Sequence, residues 1–205
     1  MKIVTITLMR KGSKRFPGKI FENYKGKPLY MHTVEKALQL GYPYYLFHDC
    51  GPKLDLPEQV PGVFEVRERS EYFAGDTHRT CEEILKSGID ADAYIFLQVT
   101  SPRRSLTDMK KWISEFKKSM RAQAGVAVHI MPDGFYYSNQ GKQVNFNQES
   151  RTDNGCVKKK VWKETGAFYI FKKDMLKEKH ILDTNNKIFF FDKFNIDVDR
   201  KEDLE

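Results

Sequence analysis

Residues 9–20, MRKGSKRFPGKI, form a basic, glycine-bearing segment directly after an apolar run. Lysine and arginine side chains neutralise phosphate oxygens, and glycines let backbone N–H groups approach an anion closely. A segment of this kind between a strand and a helix is where α/β sheets bind phosphates. It fits neither common glycine-rich fingerprint, because Gly12 and Gly18 are separated by five residues and Ile20 stands where Ser or Thr would hold magnesium. The residues alone leave open a phosphate-binding loop and a solvated basic turn.

Two aspartates near the C-terminal end, Asp197 and Asp199, flank a single residue. On a strand, side chains at this spacing point to the same face. Two carboxylates on one face can hold a hard divalent cation that also binds phosphates, and Mg2+ is the natural choice. The alternative is a strand-end turn with solvated carboxylates.

A second group of polar side chains follows the apolar run 93–99. Gln98, Thr100 and Ser101 lie where this predicted strand ends, so they should face the same crevice as the basic segment. The alternative is a simple turn before the helix predicted at 105–120.

Arg69 and Asp76 lie before a predicted helix over about 78–87. Asp76 with the following threonine is a good N-cap for that helix. The structural alternative for this pair is therefore a surface salt bridge and a helix cap.

The elements that would position these residues alternate between strand and helix. Apolar, β-branched runs predict strands over residues 2–9, 42–49, 63–68, 93–99 and 125–131. Helical spacing predicts helices over 27–41, 78–87 and 105–120, the last with a stripe of Met109, Trp112, Ile113, Phe116 and Met120. This alternation predicts an α/β fold with a mainly parallel, Rossmann-like sheet and helices on both faces.

The alternation ends in the last third of the chain. A hairpin is predicted over 135–148, a polar irregular stretch over 150–165 and a strand over 166–171. A short helix at 173–178 and a last strand or two over 188–199 follow. Residues 132–165 are therefore expected to form a small hairpin arm within the fold.

Length and composition predict a single domain over residues 1–205 with a soluble, cytoplasmic character. The chain has 31% charged residues and a net charge of +7, which favours an anionic partner. No apolar run approaches the roughly 18–20 residues of a membrane helix, and the N-terminus lacks a signal-peptide layout. Three scattered cysteines indicate neither a disulfide framework nor a zinc site.

Six segments, in order, resemble the CMP-sialic acid synthetases (N-acylneuraminate cytidylyltransferases). MRKGSKRFPGKI is similar to that family's A-R-G-G-S-K-R-hydrophobic-P-G-K-N. The other segments are GKPLYMHTVEKAL (26–38), ERSEYFAGDT (68–77), LQVTSPRR (97–104), VWKETGAFYI (161–170) and NIDVDRKEDLE (195–205). The chain departs from the family pattern at Lys11, Ile20 and Thr165, which replace Gly, Asn and Asn.

The resemblance implies an enzyme that joins CTP to a sialic-acid-like nonulosonic acid and releases pyrophosphate. It implies Lys19 as the transition-state lysine and Arg10 beside it as catalytic. The implied nucleotide-binding residues are Arg10, Gly12, Ser13, Lys14, Arg69, Asp76, Thr100 and Ser101. The implied sugar-binding residues are Gln98, Lys163 and Tyr169, and the implied Mg2+ ligands are Asp197 and Asp199. It also implies a homodimer formed through the arm.

Three other functions remain open on the sequence. The sugar could be another acid, such as an octulosonic acid. Ile20 and Thr165 motivate a weakened homologue that binds a nucleotide or a partner without turnover. The net charge and VKKKVWK (157–163) motivate nucleic-acid binding, which the aspartates at 197 and 199 disfavour because they repel a phosphate backbone.

Overall fold

The protein is built on one central β-sheet. The computed structural model describes residues 1–51, 54–74, 80–132, 136–140, 142, 144, 159–178, 180–193 and 196–205. The strands are β1 (Ile3–Met9), β2 (Asn23–Tyr24), β3 (Lys27–Pro28), β4 (Tyr44–His48), β5 (Phe64–Glu68), β6 (Ala93–Phe96), β7 (Ala124–Ile130), β8 (Trp162–Lys172) and β9 (Lys187–Phe191). The α-helices are α1 (Leu29–Leu40), α2 (Glu71–Ala74), α3 (Thr80–Lys86) and α4 (Leu106–Lys118). Short 3-10 turns cover Lys19–Phe21, Lys173–Lys177 and Lys201–Leu204.

The sheet is mainly parallel, which confirms the predicted α/β architecture. Within the described residues it has seven strands in the order β5-β4-β1-β6-β8-β7-β9, and β2 pairs with β3 separately. β8 runs antiparallel to both of its neighbours, whereas the other neighbouring pairs are parallel. One apolar cluster packs α1 and α4 against one face, and another packs α3 and the Lys173–Lys177 turn against the other. β1 and β6 are parallel neighbours in the middle of the sheet, so their carboxyl ends lie side by side at the same end of the strands.

α4 shows how the sequence pattern becomes packing, and where the pattern misleads. Ser105 accepts a hydrogen bond from the Asp108 backbone N–H at 3.2 Å and caps the helix. The predicted stripe is buried as far as Phe116. Met120 is instead 95% exposed, because the helix ends at Lys118 and the periodicity no longer applies.

β8 is longer and less regular than predicted. The strand begins at Trp162, inside the stretch expected to be irregular. Its register against β7 shifts, since Val126 pairs with Tyr169 but Val128 pairs with Glu164. Gly166 lies in this bulge with φ +69°, a left-handed conformation that favours glycine.

Of the last strand or two predicted over 188–199, the described residues form one. β9 ends at Phe191, and residues 196–199 lie outside the sheet. The Val198 N–H donates to the Thr100 carbonyl at 2.8 Å, so this segment pairs with the loop after β6 instead of extending β9.

Parts of the predicted arm and helix cap lie outside the described residues. These include Asp76 and its neighbouring threonine, and residues 145–158 of the arm. In the described part of the arm, the Ser138 N–H donates to the Lys142 carbonyl at 2.7 Å, and the Val144 N–H donates to the Tyr136 carbonyl at 2.9 Å, as in a chain reversal. Among the helices described, none combines the length and apolar character needed to cross a membrane.

Candidate active site

A cavity of about 660 Å³ opens at the carboxyl ends of β1 and β6. Its lining brings together most of the residues singled out in the sequence. They are Arg10, Gly12, Ser13, Lys14, Lys19, Arg69, Gln98, Thr100, Asp197 and Asp199. Leu8, Arg15, Ile20, Thr80, Glu83, Phe96 and Val99 complete the lining. Segments from both ends of the chain therefore meet around one cavity, as predicted for a strand-end site.

Three predicted site residues are not part of this lining. Ser101 is fully buried, and its hydroxyl donates to the Thr165 carbonyl at 3.4 Å. Tyr169 is buried beside Phe96 and donates to Glu164 at 3.3 Å, and burial raises the pKa of its hydroxyl. Lys163 is exposed on β8 opposite His129. Ser101 and Tyr169 are thus buried and bonded within the protein, Lys163 is not part of the lining, and Asp76 lies outside the described residues.

Lys19 is held at the cavity by a short turn. Gly18, with φ +72°, lets the chain enter the 3-10 turn Lys19–Phe21. The Lys19 Nζ donates to the Val198 carbonyl at 2.8 Å and lies 3.4 Å from the Asp199 Oδ1. Arg15 also contacts this carboxylate oxygen, at 2.9 Å from its Nη2. Two cations of the basic segment therefore share one aspartate.

A small apolar cluster fixes this junction. Its buried members are Phe16, Tyr24, Leu29 and Val198. Because Val198 points into the cluster, the aspartates on either side of it face the cavity. The expectation that both aspartates lie on a strand is wrong, but the alternation that it assumed holds in the extended chain.

Asp203 supports the same segment from behind. Its Oδ2 accepts the backbone N–H groups of Asp199 and Arg200, each at 2.8 Å. These two hydrogen bonds lower the pKa of Asp203, because they favour its ionised form. The carboxylate of Asp199 is consequently presented on an anchored backbone.

Arg69 and Glu83 form a buried, two-bond ion pair on another side of the cavity. The Nε–Oε1 distance is 2.8 Å and the Nη2–Oε2 distance is 2.7 Å. The two side chains are only 9% and 4% exposed. The surface salt bridge considered for Arg69 is therefore wrong, and its true partner was missed. No local pattern singles out Glu83, because Glu82 and Glu83 lie equally far around α3 from the buried Cys81 and Ile84.

Asp197 and Asp199 have the donor chemistry to hold a magnesium ion if a substrate supplied the other ligands. In the described part of the chain, no group of three or more His, Cys, Asp or Glu side chains is placed to hold a metal. Mg2+ commonly needs only one or two carboxylates when phosphates and water supply its other ligands. The pair has the right donors, faces the same cavity and lies beside the cations that would bind phosphates.

Comparison with known proteins agrees with this geometry. The pseudaminic acid cytidylyltransferase of Campylobacter jejuni is 26% identical over 100% of this chain and 94% of its own length. The CMP-N,N'-diacetyllegionaminic acid synthase of Legionella pneumophila is 27% identical over 83% of this chain and 78% of its own. The 3-deoxy-manno-octulosonate cytidylyltransferase of Escherichia coli is 33% identical, but over 49% of this chain and only 40% of that enzyme.

A solved structure shares the fold of this chain, and a family model matches its sequence. A solved CMP:2-keto-3-deoxy-manno-octonic acid synthetase, in complex with CTP, superposes with a TM-score of 0.68 at 18% identity. The superposition covers 98% of this chain and 95% of that chain, and it shows a shared fold. The family model described as cytidylyltransferase matches residues 4–202. The chain therefore belongs to the cytidylyltransferase family.

Proposed function

We propose that the protein joins CTP to a sialic-acid-like nonulosonic acid, giving a CMP-sugar and pyrophosphate. The observation that carries this proposal is the meeting of Arg10, Lys14 and Lys19 with Asp197 and Asp199 in one cavity of a cytidylyltransferase-family chain. The names of the relatives favour an acidic sugar as the acceptor. An octulosonic acid is the alternative substrate within the same class.

The reaction asks the protein to position two anions and to neutralise charge on the transferred phosphate. A hydroxyl of the sugar attacks the α-phosphorus of CTP, one P–O bond forms, and the bond to the departing pyrophosphate breaks while the hydroxyl proton is released. In this proposal Lys19 neutralises charge that develops on the phosphate, and Arg10 and Lys14 bind the triphosphate. The Val198 carbonyl, which accepts from the Lys19 Nζ, sets the direction of that ammonium group.

Asp197 and Asp199 are the residues that would hold Mg2+. The ion would shield the negative charge of the phosphates. Arg15 and Lys19 already contact Asp199, so this carboxylate stands beside the positions where phosphate oxygens would bind.

Gln98 carries the sugar side of the proposal, because it lines the cavity whereas Lys163 and Tyr169 do not. Arg69 and Asp76 are assigned by resemblance to the cytidine side. Ile20 lines the cavity and Thr165 does not, and because each replaces a neutral Asn, neither departure from the family pattern removes a charged group from the cavity.

The test is pyrophosphate release from purified protein with Mg2+, each of the four nucleoside triphosphates, and a panel of nonulosonic and octulosonic acids. Release should require CTP and one acid. It should fall by about 100-fold or more in Lys19→Ala, because one transition-state cation is removed. Lys11→Ala is the matched control, since Lys11 lies in the same segment but does not line the cavity. CTP binding without turnover on any acid would instead support a non-catalytic homologue.

We further propose a homodimer that involves the β7–β8–β9 end of the sheet. Trp162, Phe191 and Ile130 are exposed there, and the Trp162 ring lies 4.6 Å from the Phe189 ring and 5.7 Å from that of Phe191. The patch adjoins the predicted arm. Light scattering should give a dimer mass for the wild type and a smaller mass for Trp162→Asp, and a wild-type monomer would contradict the proposal.

A further inference from the structure

Arg104 is a buried arginine whose bonds among the described residues go to carbonyl and hydroxyl oxygens and to no carboxylate. Its side chain is 1% exposed. The Nε donates to the Ala167 carbonyl at 2.8 Å and the Nη1 donates to the Thr33 hydroxyl at 2.8 Å. The Nη2 donates to the Gln98 carbonyl. One guanidinium thus joins β8, α1 and the loop after β6.

Burying the Arg104 guanidinium costs free energy, which indicates that this residue does more than fill volume. Burial removes water from the guanidinium and lowers the pKa of Arg104. The group still keeps its charge at neutral pH, because arginine does not deprotonate in proteins. An apolar side chain could fill the same volume without desolvating a charge. What only arginine supplies here is a rigid fork with donors in three directions.

The loop that Arg104 holds carries part of the cavity floor. Gln98, Val99 and Thr100 all line the cavity. A Cβ on Gly166 would lie 2.7 Å from the Gln98 Oε1, so the bulge of β8 packs directly against this side chain. Two further contacts attach the loop, from Ser101 to the Thr165 carbonyl and from the Lys36 Nζ to the Pro102 carbonyl at 2.8 Å.

We propose that Arg104 is a positioning residue that fixes the backbone at Gln98, so that the Gln98 amide is held ready for the acidic sugar. The assignment of the sugar to Gln98 rests on the proposed function, whereas the holding of the loop does not. The phosphate-binding segment is attached to the same loop at a different residue, because Lys19 donates to the Val198 carbonyl and the Val198 N–H donates to the Thr100 carbonyl. Loss of the Arg104 fork at Gln98 should therefore weaken the sugar side more than the nucleotide side, which keeps the Thr100 bond and its contacts to Asp199.

The kinetic test compares Arg104→Lys, Gln98→Ala and the double variant. Arg104→Lys keeps the charge but loses the fork, and we expect it to raise the KM for the sugar by about 10-fold, because small displacements of positioning groups are costly. The affinity for CTP, measured by calorimetry, should stay within about twofold, since the triphosphate loop keeps its own contacts. Arg121→Lys, at an exposed position, is the matched control.

The double variant decides whether Arg104 acts through Gln98. In a Gln98→Ala background, Arg104→Lys should change the sugar KM by less than about twofold, because residues that act in series are not additive. Fully additive effects, or an equal loss of CTP affinity, would overturn the inference and indicate a general loss of structure.

A second measurement does not depend on catalysis. Backbone hydrogen exchange over residues 97–104 should be about 10-fold faster in Arg104→Lys than in the wild type, with β1 unchanged, because the opening is local. Unchanged exchange in this loop would overturn the inference. If no acid is turned over by the wild type, the proposed function fails while this measurement still decides the role of Arg104. Should Arg104→Lys not fold, Thr33→Val removes one of its acceptors at nearly constant volume and is measured in the same way.

Discussion

The two walls of the cavity handle charge in opposite ways. On one wall, Arg15, Lys19 and Asp199 contact one another while remaining partly exposed to solvent. Behind the other wall, which Gln98, Val99 and Thr100 line, Arg104 and Ser101 are buried and bonded mainly to backbone carbonyls. Groups of the first kind can exchange their partners for a ligand at little cost, because pairs near solvent are worth little. Groups of the second kind cannot, since an unmatched buried charge is strongly destabilising. In the proposed function, the exposed group therefore binds the phosphates, whereas the buried group maintains the shape of the loop.

The Arg69–Glu83 ion pair belongs with the buried charges. Breaking it should give the largest change in the free energy of unfolding. Glu83→Gln should lower the free energy of unfolding by about 3–5 kcal/mol, because Arg69 would keep a buried charge without its counter-charge. Chemical denaturation followed by circular dichroism measures this change.

The control lies one residue away on the same helix. Glu82 pairs with Lys86 at 2.9 Å on the surface of α3. Glu82→Gln should cost no more than about 0.5 kcal/mol, as expected of an exposed pair. Equal losses for the two variants would remove the distinction between buried and exposed charge on which the comparison depends.

Asp199→Asn tests the exposed wall and should separate activity from stability. We expect pyrophosphate release to fall by about 100-fold or more, because the variant loses a charged ligand for Mg2+ and a partner of Lys19. Stability should change by less than about 1 kcal/mol, since the carboxylate is partly exposed.

The Mg2+ concentration that gives half-maximal release should also rise in this variant. Asp183→Asn, at an exposed position before β9, is the control. Full activity of Asp199→Asn at ordinary Mg2+ would contradict the proposed role of the acidic pair.

The exposed wall could be predicted from the sequence, whereas the buried wall could not. The basic segment is local, so its resemblance to a family motif singled out Arg10, Lys14 and Lys19 before any fold was known. The parallel sheet followed from the alternation of apolar runs. Arg104, by contrast, reads in the sequence as one more charged residue before a helix.

The role of Arg104 depends on three hydrogen bonds to Ala167, Thr33 and Gln98. No local sequence pattern predicts these bonds, because the partners come from different elements. Lys163 shows a different limit of sequence motifs. Its segment resembles the family, yet its position on β8 leaves it exposed opposite His129 instead of at the cavity. Motifs therefore indicated the chemistry better than they indicated which side chains the fold would bury.

Gly166→Ala tests whether the bulge of β8 positions the Gln98 side chain. The left-handed conformation at Gly166 should cost about 1–2 kcal/mol with any L-residue. The added Cβ would also displace the Gln98 amide, which lies 2.7 Å from its position. We therefore expect a raised KM for the sugar together with the loss of stability.

Gly88→Ala is the matched control for this variant. Gly88 has φ +73°, nearly that of Gly166, and nothing lies within 4 Å of its added Cβ. The two variants should lose similar stability in thermal unfolding, but only Gly166→Ala should change the sugar KM. A normal sugar KM in Gly166→Ala would mean that the bulge of β8 does not set the position of Gln98.

Lys36 gives the smallest effect, and it appears only as a dependence on pH. Burial is the main cause that lowers the pKa of Lys36 to about 8 from 10.5, and the nearby charge of Arg104 adds to it. Between these two values the unfolded chain binds more protons than the folded chain, so the free energy of unfolding rises with pH across this window. Below pH 8 the protonated lysine therefore destabilises the fold in full, and the penalty is relieved as the pH approaches 10.5. Because Lys36 is only half-buried, solvent screening should keep the change below about 1 kcal/mol.

The measurement is the stability difference between the wild type and Lys36→Met from pH 7 to 10.5, with the exposed Lys110→Met as control. A stability difference that does not change with pH would show that Lys36 is solvated like the exposed charges. Lys36 would then not belong to the buried group around Arg104.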